Sequence, residues 1–232
     1  MEKIKASIII RAYNVEATVA RAIKSALAQE YSRGLYEIIV VDDGSTDGTA
    51  QIVDSFADES NVRILHQKNQ GAIPAANNGF EMARGEYVVL LDGDDEFTPR
   101  LLKEMTSVMD ADPQIAFAYC DYAEEFEGER KDMSVSDVFQ MIAGGTLWRR
   151  EFLKNEGWFR NTGIFDEYEL ILRTWGRWRF AHVSQSLYIY HRQRTSLTAD
   201  PSRVDAGIAK LRKLYPDRRK EIHRIRSYIL SV

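Results

Sequence analysis

The sequence predicts an α/β protein in which a mostly parallel sheet is flanked by helices, with a helical extension at the C-terminus. Three observations predict this class. Short apolar runs alternate with helical patterns over the first 120 residues, a rhythm typical of parallel sheets with right-handed crossovers. Two of these runs lead directly into acidic turns, the position at which open α/β sheets bind ligands. From about residue 202 only helical periodicity remains.

The first half of the chain is expected to hold the strands that carry the site. The run Ile38–Val41 contains only isoleucine and valine, which predicts a strand buried on both faces. Val19, Ile23 and Leu27 recur at four-residue spacing and predict an amphipathic helix, with Asn14 as its cap. The same reasoning predicts strands at 6–10, 61–66, 86–91 and 115–120, and helices over 73–83 and after the hydroxyl caps Ser45 or Thr46 and Thr98.

The second half is less regular. Residues 124–132 are acidic and predict a solvated excursion, and 144–150 predict a strand or loop that returns to the sheet. A short helix is expected over 165–173, strands at 180–183 and 187–190, and terminal helices interrupted by Pro216.

Composition excludes several classes of protein. A chain of 232 residues with 44% hydrophobic content fits one domain, with or without an appendage. The net charge of −4 gives no reason to expect nucleic acid as a partner. The single cysteine, Cys120, rules out an internal disulfide framework and indicates a reducing compartment. No secretory signal or membrane span is recognisable, so we expect a cytoplasmic protein, soluble or peripheral to the inner face of the membrane.

The acidic turn Asp92-Gly-Asp94 is a candidate metal site. In an extended segment, residues two apart project to the same side, so both carboxylates would face one ligand. Carboxylate oxygens are the donors that Mg²⁺ and Mn²⁺ prefer, and such a cation would stabilise a departing diphosphate. Acidic turns also cap helices, but this one ends a buried strand. Asp42 and Asp43 end another, where one can accept loop amides and the other can accept the N–H of a uracil-like base; alternatively, both cap a helix.

Together, the segments 7–14 (SIIIRAYN), 41–49 (VDDGSTDGT) and 85–95 (GEYVVLLDGDD) resemble the family 2 glycosyltransferases with the GT-A fold. The resemblance covers roughly residues 6–198 and is most specific in the first half. It implies an inverting transfer from a nucleotide-diphosphate sugar, most often UDP-linked, with Mg²⁺ or Mn²⁺. It also implies a domain over 1–200, with a nucleotide-binding half (1–95) and an acceptor-side half (96–200), followed by the extension 201–232.

The resemblance also implies roles for individual residues. Tyr13 would line the base pocket, Asp43 would bind the base, Asp92 would contact the ribose or the sugar and join Asp94 at the metal. The catalytic base falls on Glu167 in the run 165–170 (FDEYEL), with Arg173 as the family's arginine on the donor side. The two acids stand in reversed order, so Asp166 remains a candidate base.

Three positions depart from the family pattern. Arg11 replaces a proline or small residue, and an arginine there is expected to contact the donor or close the pocket. Ala76 replaces an arginine, and Gln193 stands where a histidine often precedes the Ser-Leu of 195–197. His191 is a candidate third metal ligand, although a histidine after an aromatic strand is more often structural.

We therefore expect transfer of the sugar to a hydroxyl of a glycan or lipid-linked acceptor. The basic C-terminal helices are suited to an anionic membrane surface, or simply carry a solvated basic face. Two rival functions are a nucleotide-sugar-binding module with a decayed active site and, with less support, a sugar nucleotidyltransferase. A Rossmann dehydrogenase is disfavoured because no Gly-x-Gly-x-x-Gly follows the first strand.

Overall fold

The computed structural model describes residues 3–193 and 199–226. The predicted Ser-Leu segment 195–197 and the last six residues therefore lie outside the described part of the chain. Within it, one mixed sheet has the strand order β3-β2-β1-β4-β8-β6-β9-β5, with β7 paired to β6 alone. The elements of the first half are β1 (Ala6–Ala12), α1 (Val19–Leu27), β2 (Tyr36–Asp42), α2 (Thr49–Asp54), β3 (Val62–His66), α3 (Ala72–Met82) and β4 (Tyr87–Asp92).

The first four strands are parallel, with β1 at their centre. Arg11 on β1 lies opposite Val41 on β2 and opposite Asp92 on β4. Every side chain of β2 is buried, as the unbroken apolar run predicted. Because parallel strands finish at the same edge of a sheet, the acidic turns after β2 and β4 flank the end of β1. Two strand spacings, or roughly 10 Å, separate their backbones.

The second half continues the sheet with mixed strand directions. Strand β8 is antiparallel to both β4 and β6, β9 is parallel to β6, and β5 and β7 pair antiparallel with β9 and β6. The elements are β5 (Glu96–Phe97), α4 (Leu101–Ala111), β6 (Ile115–Phe126), β7 (Glu129–Met133), β8 (Thr146–Arg149), α5 (Arg150–Asn155), α6 (Asp166–Thr174) and β9 (Arg179–His191). The predicted α/β class is confirmed; the sheet is mixed, with parallel pairing through its first half and again between β6 and β9.

Two strand predictions differ in extent from the structure. The segments 180–183 and 187–190, expected as two strands, form the single strand β9, because β6 supplies a continuous pairing partner across an irregular register. The acidic stretch 124–132, expected to be irregular, forms the exposed hairpin of β6 and β7. In both cases pairing with a distant segment outweighs the local pattern.

The predicted helix caps are wrong. The cap positions of α1, α2 and α4 are Thr18, Gly48 and Arg100, and none of them makes a side-chain cap hydrogen bond. Asn14 instead adopts a positive φ of 52°, and its side-chain oxygen accepts the backbone N–H of Thr46 at 2.8 Å. Ser45 Oγ in turn accepts the backbone N–H of Asn14 at 3.0 Å. These polar side chains tie the end of β1 to the turn after β2, over 31 or 32 residues of sequence.

The terminal helices α7 (Pro201–Leu214) and α8 (Arg219–Arg226) belong to the same hydrophobic core as the sheet. Leu211, Ile222 and Ile225 are completely buried, which satisfies the apolar periodicity of the terminal segment. The break at Pro216 falls where the sequence predicted it. No helix in the described ranges has the length and apolar character needed to cross a membrane.

Candidate active site

A cleft of about 590 Å³ opens where β1 and β4 end. One wall comes from Arg11 and the acidic turn after β4, and the opposite wall comes from residues 141–144 and 159–168. Five carboxyl groups line it, from Asp92, Asp94, Asp95, Asp166 and Glu167. Among the described lining residues, Arg11 carries the one cationic side chain. The cleft therefore concentrates negative charge around a single arginine.

Arg11 is paired with the first carboxylate of the acidic turn. Its Nε donates to Asp92 Oδ1 at 2.8 Å, and its Nη2 donates to the same oxygen. Burial by itself would lower the pKa of Arg11, but the charge and hydrogen bond of Asp92 outweigh it, so the pKa is raised. The arginine is therefore a permanent cation in this wall of the cleft, and one oxygen of Asp92 accepts both of its hydrogen bonds.

Asp94 and Asp95 have different environments although they are adjacent. Burial, and then the charge of Asp92, raise the pKa of Asp94, whose side chain among the described residues receives one long hydrogen bond, 3.3 Å from Gln193 Nε2. Asp95 is 2% exposed, and the same causes raise its pKa well above the usual range. It accepts Tyr188 Oη at 2.6 Å and the backbone N–H of His191 at 2.8 Å. Asp95 thus fastens β9 to the turn, whereas the part of the chain that the structure describes gives Asp94 little hydrogen bonding.

The two candidate bases also differ. Asp166 Oδ1 accepts the backbone N–H of Thr162 at 2.6 Å and its hydroxyl at 2.9 Å, so this buried carboxylate closes the loop that precedes α6. Glu167 is partly exposed and lines the cleft. Burial in the wall, with a smaller effect of the Asp166 charge, raises the pKa of Glu167 to about 7. A carboxyl group with that pKa is suited to take a proton near neutral pH.

Asp42 and Asp43 are both buried, and both bind the protein itself. Asp43 Oδ1 accepts Gln67 Nε2 at 2.7 Å and the backbone N–H of Gln70 at 2.9 Å, and Oδ2 accepts the N–H of Gly71 at 2.8 Å. Asp42 accepts the N–H of Ser45 and pairs with His66. Neither caps a helix, and the segment 67–71 that Asp43 organises leads into α3, whose first residues line the cleft.

Three other predicted site residues lie outside the cleft lining. Tyr13 is 49% exposed beyond the end of β1. Arg173 Nε donates to Glu169 Oε1 at 3.1 Å, and its guanidinium also donates to the carbonyls of Glu156 and Trp158. Arg173 therefore holds α6 against the preceding loop. Nε2 of His191 lies 2.7 Å from Glu96 Oε1. The backbone N–H of His191, rather than its ring, donates a hydrogen bond to Asp95 in the acidic turn.

The residues present fit a divalent cation at Asp94. Within the described ranges, no group of three or more His, Cys, Asp or Glu side chains is arranged to hold a metal. However, Asp94 combines oxygen donors, partial burial and the nearby Asp92 charge with one long hydrogen bond from the described residues, and a bound cation would supply positive charge there. The remaining ligands would come from a diphosphate and water, as is usual for Mg²⁺.

The sequence did not single out several residues of the site. Tyr188, which anchors Asp95, stands in an apolar strand where nothing marks it. Gln67 and Gln70, which bind Asp43, stand in a polar turn. The lining residue Phe165 has φ +66°, and a left-handed phenylalanine carries no local signal. Trp148 is fully buried and packs on Phe117 with 4.5 Å between ring centroids, so it does not line the cleft.

Residues 7–173 match the family described as Glycosyl transferase family 2. YibD of Escherichia coli K12, named as an uncharacterized glycosyltransferase, is 33% identical over 158 residues, 66% of this chain and 45% of YibD. WfaP of Escherichia coli, a UDP-Glc:alpha-D-GlcNAc-diphosphoundecaprenol beta-1,3-glucosyltransferase, is 34% identical over 133 residues, 57% of this chain and 50% of WfaP. The chain therefore spans about half the length of these curated relatives.

Solved glycosyltransferases have the same architecture. TarS residues 1–349 of S. aureus, in complex with UDP-GlcNAc, matches with a TM-score of 0.73 and 19% identity, over 89% of this chain and 66% of TarS. The mannosyltransferase PcManGT from Pyrobaculum calidifontis, in complex with GDP-Man and Mn²⁺, matches with a TM-score of 0.76 and 19% identity, over 100% of this chain and 71% of PcManGT. At these identities the likeness establishes the fold, a mixed α/β sheet with flanking helices of the GT-A type.

The Asp43→Asn variant tests whether this carboxylate organises the protein. An amide in its place turns one acceptor into a donor that faces N–H groups, so we expect the free energy of unfolding to fall by about 1–3 kcal/mol. Urea denaturation of this variant and of Asp58→Asn, an exposed control, measures the difference. Unchanged stability combined with a selective loss of nucleotide binding would assign Asp43 to the ligand instead.

Proposed function

The chain belongs to glycosyl transferase family 2, and on that premise we propose that this glycosyltransferase moves a sugar from a UDP-sugar to an acceptor hydroxyl with inversion at the anomeric carbon. The acceptor is a glycan or a lipid-linked glycan precursor. The observation that carries the proposal is the position of Glu167: a partly exposed carboxyl with a pKa raised to about 7 shares one cleft with Arg11 and Asp94. The cleft thus combines a base with cation-binding and anion-binding groups.

The donor is held at the edge where β1 and β4 end. The wall there carries the fixed cation Arg11, which suits a diphosphate. Two relatives support a UDP-linked donor: TarS has been solved with UDP and UDP-GlcNAc, and WfaP is named as a UDP-Glc-dependent enzyme. Asp43 shapes the site for the donor's nucleobase indirectly, by holding the segment 67–71. Its own oxygens accept hydrogen bonds from that segment.

Asp94, with Asp92 beside it, would hold Mg²⁺ or Mn²⁺. When bound, the cation supplies charge neutralisation to the departing diphosphate. PcManGT, solved with Mn²⁺, supports this assignment. Asp92 Oδ1 accepts Arg11, and Oδ2, which accepts no hydrogen bond from the described residues, would be the oxygen that contacts a ligand.

Glu167 acts on the acceptor. Its carboxylate takes the proton of the acceptor hydroxyl as that oxygen attacks the anomeric carbon, on the face opposite the leaving diphosphate. Asp166 holds the loop before α6 through Thr162, so its role is structural. The position of the candidate base in the cleft supports an active enzyme over the decayed-module alternative. The nucleotidyltransferase alternative gives way to the family assignment.

The Glu167→Gln variant tests the base. We expect UDP release from UDP-GlcNAc with Mn²⁺ to slow by about 100-fold or more, while the thermal shift caused by UDP is retained. For the unmodified protein, kcat/KM should fall about tenfold per pH unit below pH 7 and level off above it, because only the deprotonated carboxylate accepts a proton.

Asp166→Asn is the matched control. It replaces the charged acceptor for Thr162 with a neutral amide oxygen, which accepts a weaker hydrogen bond, so we expect a lower melting temperature. The midpoint of the pH profile should move slightly to lower pH, because the Asp166 charge no longer raises the pKa of Glu167. If Glu167→Gln is active and Asp166→Asn is stable but inactive, Asp166 rather than Glu167 is the catalytic base.

A thermal-shift panel of UDP, GDP, TDP and CMP, each with and without Mn²⁺, tests the donor and the cation. UDP with Mn²⁺ at about 100 times its Kd should stabilise by about 2.7 kcal/mol, or about 5–10 °C for a chain of this length. Asp94→Asn should lose the Mn²⁺-dependent part, and Asp58→Asn should keep it. A larger thermal shift with GDP would assign guanine as the nucleobase of the donor. An equal shift without Mn²⁺ would remove the cation from the proposal.

A lipid-linked acceptor is consistent with the charge of the terminal helices. Residues 203–226 contain nine Lys and Arg against three Asp and Glu, in a protein of net charge −4. Arg212, Lys213, Arg219 and Lys220 are exposed, and Leu214 between them is 51% exposed. Basic residues near an anionic bilayer contribute about 1 kcal/mol each, so we propose that this surface lies against the membrane.

Co-sedimentation with vesicles of phosphatidylcholine, with and without 30% phosphatidylglycerol, tests the membrane contact (roughly a physiological anionic fraction). We expect binding to the anionic vesicles alone, weakened by salt and abolished in Arg219→Glu/Lys220→Glu. The control Lys24→Glu/Lys103→Glu changes the net charge equally at exposed sites elsewhere. Equal loss in both variants, or no binding by the unmodified protein, would contradict the proposal.

A further inference from the structure

The wall that carries Glu167 has an unusual backbone. The loop 156–165 between α5 and α6 contains two non-glycine residues with positive φ, Trp158 at 61° and Phe165 at 66°. Phe165 directly precedes the pair Asp166-Glu167 and is 5% exposed. A bulky residue rarely adopts this conformation, and it persists where surrounding contacts determine it. The direction of Glu167 therefore depends on whatever holds Phe165.

Helix α7 packs on the outer side of this loop. A Cβ atom on Gly207 would lie 2.3 Å from Ile164 Cγ2 and 3.2 Å from Phe165 Cδ2, so the helix backbone itself touches the two residues before the acidic pair. Glycine in a helix interior weakens the helix relative to alanine. Its presence in the middle of α7 is explained by this close approach rather than by helix stability.

Two side chains of the same segment make polar contacts with the wall. Lys210 Nζ donates to the carbonyl of Thr162 at 3.0 Å, and Thr162 is the residue that Asp166 binds. The hydroxyl of Tyr215, directly after α7, donates to Glu169, which is 1% exposed on α6. The segment thus holds the wall both before and after Glu167.

We propose that α7 is a positioning element of the active site, and that Gly207 sets the direction of the Glu167 carboxylate by allowing the helix to press on Ile164 and Phe165. The proposal rests on the proposed function, in which Glu167 is the base. Gly207 touches neither donor nor acceptor; it acts through the loop. A misplacement of about 1 Å in a reacting group can cost 100-fold in rate, so a single added methyl group at this contact is sufficient to test the idea.

The Gly207→Ala variant is the test, with UDP release from UDP-GlcNAc in the presence of Mn²⁺ as the reaction. We expect kcat to fall at least tenfold, while the KM for UDP-GlcNAc and the thermal shift with UDP stay within twofold of the unmodified protein. Alanine favours the helix, so the melting temperature should not fall in proportion to the activity. Ala206→Val is the matched control, because it adds volume at an exposed position of the same helix.

Rescue distinguishes positioning from a general structural defect. Ile164→Ala/Gly207→Ala removes the atom nearest to the new methyl group, so kcat should recover to within about threefold of Ile164→Ala alone. Lys210→Met, which keeps the aliphatic stem but loses the bond to Thr162, should lower kcat by a smaller factor with KM unchanged. If Gly207→Ala does not yield folded protein, Lys210→Met decides the matter on the same kcat and KM readouts.

Failure of the positioning role can be distinguished from failure of the proposed function. Absence of UDP release from the unmodified protein overturns the proposed function, and this proposal with it. An active unmodified protein with a folded Gly207→Ala variant of unchanged kcat overturns only the positioning role. A parallel loss of kcat and donor affinity, without rescue by Ile164→Ala, also overturns it.

Discussion

The accumulation of carboxyl groups in one cleft is the constraint on which this structure depends. Five acids line the cleft, and Arg11 is the one cationic side chain among the described lining residues. Like charges in a partly buried site raise one another's pKa, and Asp94, Asp95 and Glu167 are all shifted upward, with burial as the first cause of each. The protein offsets part of this charge with Arg11, and Asp95 with its raised pKa is bound by Tyr188. The proposed cation at Asp94 would meet part of the remaining demand for positive charge.

The residues that support the site are as necessary as those that line it. Asp43 organises the segment 67–71 through three hydrogen bonds, and Asp42 anchors the turn after β2. Asp166 does the same for the loop before α6. In each adjacent pair of acids, at 42–43 and at 166–167, at least one member serves the backbone, because a buried carboxylate is stable only where N–H groups surround it.

The second half of the sheet explains how the opposite wall is built. Strand β8 reverses direction beside β4, and β9 brings Tyr188 and His191 back to the acidic turn. Helices α7 and α8 join the same hydrophobic core. The terminal helices are therefore integrated with the wall that carries Glu167, although the chain reaches them only after the whole sheet has been completed.

The sequence by itself determined the α/β class, the strands that carry the acidic turns and the family, since buried strands and the motifs at their ends are local patterns of residue type. It also identified Arg11, Asp92, Asp94, Asp166 and Glu167, all of which line the cleft. Only the tertiary structure showed which groups each acid contacts, because the partners of Asp43 and Asp95 come from segments whose approach no local pattern encodes. The same holds for the wrong helix caps at Asn14 and Ser45 and for the contact of Gly207 with Phe165. These depend on distances between residues far apart in the chain, or on a backbone conformation that surrounding packing imposes against local preference.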